Sequence, residues 1–160
     1  MRHNNEELIT VLNDLIRINN DRILGYEKAI KETEGIDLDL KTVFNRMIDE
    51  SNQYKNELAT EALKRGGSAD IESSTNSGKI YRAWMGLKAS FTGKDRHAML
   101  AACEYGEDAA QKAYKDALES DATTDSEIRQ MILRQKSTLK ESHDLIKQYR
   151  DMEEPAKANT

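Results

Sequence analysis

Carboxylates set at helical spacing inside apolar stripes are the residues of this chain whose types could do chemistry. Glu107 is the sharpest case. Leu100 and Cys103 precede it by seven and four residues, and Ala110 and Tyr114 follow by three and seven. On a helix these positions share one face, so the carboxylate falls within the apolar stripe. A buried carboxylate is costly without a partner. The partner is either a metal ion or a hydrogen-bonding side chain such as Tyr26, Tyr54, Gln135 or Arg22. Glu104 lies one turn back, on a wetter side with Ala101, Asp108 and Gln111, where a solvated or ion-paired role is expected.

Helical bundles hold di-iron centres with one Glu on each of two helices and Glu-x-x-His on each of the other two. Glu27, Glu57, Glu107 and His143 are the residues that could supply such a site here. The pattern is incomplete. Thr60 follows Glu57 by three residues, Lys140 precedes His143 by three, and no Glu-x-x-His occurs anywhere. A site built from what is present would be rich in carboxylates and would take iron or manganese in the bundle interior.

Other polar residues interrupt the stripes near the middle of their helices: Asn19, Ser51, Gln135 and Ser142, with Tyr26 and Tyr54 beside them. In an antiparallel bundle, mid-helix positions meet at one height. These six residues are therefore expected to form an interior polar layer that fixes register. Cys103 reads as a small packed hydrophobe. The sequence has no phosphate-binding Gly-x-x-x-x-Gly-Lys and supports no Ser-His-Asp arrangement. No catalytic residue is assigned, and the reading leans away from an enzyme.

The elements that must position these groups are helices. Ile9, Ile16, Ile23 and Ile30 recur every seven residues, with Leu12, Asn19 and Tyr26 between them. That pattern predicts a first helix over about 5–33. A second, about 38–64, carries Leu40, Phe44, Met47, Ser51, Tyr54, Leu58 and Ala62, and Gly66-Gly67 ends it. A short third helix is predicted over about 77–91, with Trp84 and Phe91 on one face. A fourth, about 95–119, holds the Glu107 stripe, and a fifth, about 126–152, follows a cap at Thr124 or Asp125. Its stripe is Ile128, Ile132, Gln135, Leu139, Ser142, Ile146 and Tyr149. Short links join the first helix to the second and the fourth to the fifth, which makes each pair antiparallel. The long 66–95 stretch can cross the length of a bundle. The expected fold is all-α: a ferritin-like four-helix bundle with one long crossover containing a short extra helix. It forms one domain over 1–152, with a flexible tail over 153–160.

Composition excludes other classes. The 160 residues carry a net charge of −5, which opposes nonspecific nucleic-acid binding. No apolar run is long enough to span a bilayer, and the first residues lack the apolar stretch of a signal peptide. The single cysteine offers no internal disulfide partner. A cytoplasmic, self-associating protein is expected.

The stretch from Gly78 through Arg82-Ala83-Trp84 to Ala89, then Thr92-Gly93-Lys94-Asp95 and Cys103-Glu104-Tyr105-Gly106-Glu107-Asp108, resembles an uncharacterised bacterial family of ferritin-like four-helix proteins. Lys112-Ala113-Tyr114, Asn13-Asp14-Leu15 and Gly25-Tyr26-Glu27 extend the resemblance, which runs from about Leu8 to about Arg150. The Cys-Glu-x-Gly-Glu-Asp core is its specific part. The resemblance implies a self-associating bundle with a stress-related role and implies no activity. Lys79-Ile80-Tyr81-Arg82 precedes Trp84 where the family pattern has His-Arg, so no histidine role carries over there.

Overall fold

The computed structural model describes residues 2–32, 38–69 and 96–153. The predicted short helix with Trp84 and Phe91, the residues 33–37 and the tail beyond Glu153 lie outside them. The described residues form four helices and no strand: α1 (Arg2–Glu32), α2 (Leu38–Lys64), α3 (Arg96–Glu119) and α4 (Ser126–Met152). A single 3-10 turn, Asp121–Thr123, links α3 to α4.

Local sequence sets the helix ends. Asp125 caps α4 by accepting from the backbone N–H groups of Glu127 (3.0 Å) and Ile128 (3.2 Å), two donors that have no partner inside the helix. Gly66 closes α2 in the left-handed region at φ +84°. The Gly67 N–H then reaches Ala62 O at 3.0 Å and the Gly66 N–H reaches Leu63 O at 3.1 Å, the paired bonds of a Schellman stop.

Side-chain contacts fix the topology. Asn13 donates to Ser68 O (2.9 Å) while Arg22 donates to Met47 O (3.1 Å), so α1 and α2 run antiparallel. Gln111 to Lys136 O (3.1 Å) and Arg129 to Leu118 O (2.8 Å) set α3 antiparallel to α4. Arg96 pairs with Asp39 (3.3 Å), which brings the starts of α2 and α3 to one end; Arg65 approaches Asp125 (3.8 Å) at the other. α2 and α3 are therefore parallel, and the link between them joins opposite ends of the bundle. α1 packs most closely on α2, α3 on α4, and α1 also on α3; α2 and α4 approach least closely of these pairs.

The stripes face inward as their spacing predicts, except that Ile9, Ile30 and Tyr149, near the helix ends, are only half-buried. Leu12, Ile16, Leu40, Phe44, Leu58, Leu100, Ile128, Ile132 and Ile146 form one continuous core with their neighbours. The polar residues of the stripes are buried along with the apolar ones.

Candidate functional site

Two polar tiers cross the core at mid-height, and all four helices contribute to each. In the first, Arg22 of α1 is fully buried and grips Glu107 of α3, which is also fully buried. Arg22 Nε lies 3.0 and 3.1 Å from the two Glu107 carboxylate oxygens, and Nη2 lies 2.8 Å from Oε2. The remaining donors reach α2: Nη1 to Met47 O (3.1 Å) and Ser51 Oγ (2.8 Å), and Nη2 to Glu50 Oε1 (3.2 Å). The Tyr26 hydroxyl donates to Glu107 Oε2 through a short bond. Ser142 of α4 closes the tier by donating to Glu50 at 2.9 Å. Arg22 also lies over the Tyr26 ring, 5.4 Å from its centroid.

The second tier lies beside it. Asn19 donates to the Tyr114 hydroxyl (2.9 Å), Tyr114 donates to Gln135 (2.7 Å), and Gln135 donates to Glu57 (2.8 Å). Arg134 holds the other Glu57 oxygen at 3.2 Å. Tyr54 meets the Thr138 side chain.

The electrostatics follow from burial and pairing. Desolvation opposes the charge on Arg22, but Glu107, Tyr26 and Glu50 outweigh it and hold the guanidinium above its ordinary pKa. Burial, reinforced by Glu107, pushes the Tyr26 hydroxyl well above the usual tyrosine range. Burial also raises Tyr114, against the opposing hydrogen bond from Asn19. Both tyrosines are thereby held as neutral donors.

The residues singled out from the sequence fall in different places. Asn19, Tyr26, Ser51, Tyr54, Gln135 and Ser142 are all buried in the two tiers. Glu107 sits at the centre of one tier, and Glu57 lies at the edge of the other. Glu27 is exposed: it follows Tyr26 by one residue, a turn of about 100° that carries it off the inward face. His143 faces Asp108 and Glu104 instead. Glu27, Glu57, Glu107 and His143 therefore do not meet at one point. The interior does not fit a metal, because the Arg22 guanidinium already fills the space between Glu50 and Glu107.

Among the described residues, Glu104, Asp108 and His143 alone gather as three ligand-bearing groups, with ligand atoms within 4.8 Å of one another. His143 Nε2 lies 2.6 Å from Asp108 and 3.8 Å from Glu104, and Nδ1 lies 3.0 Å from Asp144. Arg150 pairs with Glu104 through a short contact. Glu104 is ion-paired, one of the two roles its sequence position predicted, but it is buried rather than on a wetter side, because His143 and Arg150 of α4 lie against it. Asp108 was missed as a site residue; its signal was the i, i+4 spacing from Glu104.

Among the described residues, fold and site together define a bundle of four helices with a buried, internally paired polar centre. The chain belongs to the family described as "Domain of unknown function (DUF2383)", whose model matches residues 7–120. No match is found among curated proteins. Among the described residues, no helix is long and apolar enough to cross a membrane.

Proposed function

We propose that this chain is a ferritin-like bundle with a structural, non-catalytic role that it exercises by self-association. One observation carries the reading: Arg22 stands between Glu50 and Glu107, where a di-metal bundle would hold its cations. A guanidinium locked by seven donor contacts cannot accept substrate or change oxidation state. The parallel direction of α2 and α3 supports this reading, since their consecutive ends lie at opposite ends of the bundle and a ferritin-like connectivity has one long crossover there. The interior is used for register, so interaction falls to the outer faces. These carry exposed Leu24, Leu63, Tyr105 and Leu133.

The rival reading is an iron or manganese site in the interior. The chain is dialysed after incubation with Fe(II) or Mn(II), alongside Glu107→Gln and His143→Ala. Metal lost in Glu107→Gln but kept in His143→Ala would overturn the structural reading. Sedimentation at tens of micromolar tests the association: an oligomer is expected, and a monomer refutes that part.

A further inference from the structure

We propose that Glu104, Asp108 and His143 form a site for one divalent first-row transition metal on the α3–α4 seam, separate from the polar tiers of the interior. Both ring nitrogens of His143 face carboxylate oxygens, Nε2 at 2.6 Å from Asp108 and Nδ1 at 3.0 Å from Asp144. An ionised carboxylate only accepts hydrogen bonds, and a neutral imidazole has one N–H and one lone pair. A neutral ring satisfies one of these contacts and turns a lone pair on the other. The second contact therefore calls for a cation, either a further proton or a metal ion.

The geometry favours a metal at Nε2. Asp144 is placed to take Nδ1–H, the outer partner that commonly orients a metal-bound histidine. Nε2 then looks toward Asp108 and toward Glu104 Oε2, 3.8 Å away; Arg150 engages the other Glu104 oxygen. Ligand atoms about 2.1 Å from a tetrahedral ion stand about 3.4 Å apart. The 2.6 and 3.8 Å separations reach that value by shifts of less than about 1 Å. Asp108 is free to make its share, its side chain being 64% exposed. Glu104 and Asp108 share a helix face at i, i+4, and His143 comes from the facing helix.

Charge points the same way. The ion-paired group contains four carboxylates, Glu104, Asp108, Asp144 and Asp151, against two cations, Lys140 and Arg150. With neutral His143 the sum is −2, the charge a divalent ion cancels. One imidazole with two carboxylates suits Mn(II), Fe(II) or Zn(II).

The proposal goes beyond the structural reading and does not depend on it. The test is calorimetric titration of chelator-treated protein with Zn(II) and Mn(II), with Co(II) as a spectroscopic probe. One equivalent of metal is expected, with Co(II) absorption showing nitrogen and oxygen ligation. His143→Ala and Asp108→Asn each weaken binding at least tenfold, and Asp144→Asn weakens it by about tenfold. Glu107→Gln leaves it unchanged. Asp108→Asn alters an exposed side chain, so its effect is readable even if His143→Ala folds poorly. Substoichiometric uptake, or equal binding by Asp108→Asn, overturns the site. An interior metal would instead be lost in Glu107→Gln, which separates the two outcomes.

Discussion

Replacing Arg22 with methionine keeps much of its length and removes its charge. The side chain makes three contacts to Glu107 and one each to Met47 O, Met47 Sδ, Ser51 and Glu50, all without solvent at the guanidinium. Arg22→Met leaves Glu107 buried, charged and held by Tyr26 alone. Removing one partner of a buried ion pair costs about 3–5 kcal/mol, mostly as the penalty on the abandoned charge. For a chain of this size that lowers Tm by roughly 6–20 °C. Glu107→Gln is milder, since Arg22 retains Glu50, Ser51 and Met47 O. The double variant Arg22→Met/Glu107→Gln abandons no central charge on α3, so it should lose less than the two single losses combined, by about 2 kcal/mol or more. Arg22→Lys keeps a charge but lacks the planar fork, and should fall between wild type and Arg22→Met. Urea unfolding of all five proteins, with a common m-value, measures the cycle. Additive losses, or an Arg22→Met cost below about 1 kcal/mol, would refute the central role given to this pair.

Tyr26 and Tyr114 keep their protons to higher pH in the folded chain than in the unfolded one, chiefly through burial. Above about pH 10 the unfolded state therefore binds fewer protons, and stability falls as pH rises, by up to about 1.4 kcal/mol per pH unit for each tyrosine. Below that range the effect is fully retained; Tyr26→Phe should flatten the alkaline limb, and an unchanged limb would count against the assignment. Gly66→Ala forces a side chain into the left-handed region at φ +84° and should cost about 1 kcal/mol in urea unfolding. Asp125→Ala removes the acceptor at the start of α4 and should also cost about 1 kcal/mol, with Asp125→Asn recovering most of it.

The helices were readable because burial obeys the period of the stripe. Leu38–Lys64 and Ser126–Met152 coincide with the predicted bounds, and each stripe position from Leu40 to Ala62 is buried. α1 starts at Arg2 rather than near Asn5, since no breaker stands in Arg2-His3-Asn4. The site was readable only in part. Glu107 was identifiable as a buried charge from its own helix. Its partner was not fixed, because choosing Arg22 over Tyr54 or Gln135 requires the register of α1 against α3, which local spacing does not encode. Arg22 lies three residues after Asn19 and four before Tyr26, so it shares their face, and its long side chain lets it reach Met47 O and Glu107 at once. The outer cluster was harder still. It joins a carboxylate pair on one helix to a histidine on another, and that meeting depends on how α3 and α4 pair.

The two acidic centres differ in how they are neutralised, and this separates their roles. In the interior polar centre, Arg22 and Glu107 are both fully enclosed and cancel each other. Glu50 adds the third charge at the edge, 14% exposed and held by Ser142. A positive ion entering there would meet a guanidinium already in place, and displacing Arg22 would strand it without solvent. In the outer cluster, Arg150 divides its donors between Glu104 and Asp151, and Lys140 is occupied by Asp144. Asp108 is left to His143, whose charge is optional. An added cation lowers the electrostatic energy of the outer cluster and raises that of the interior pair. The same bundle can thus keep a closed, register-setting centre and still offer a cation site on the seam between α3 and α4.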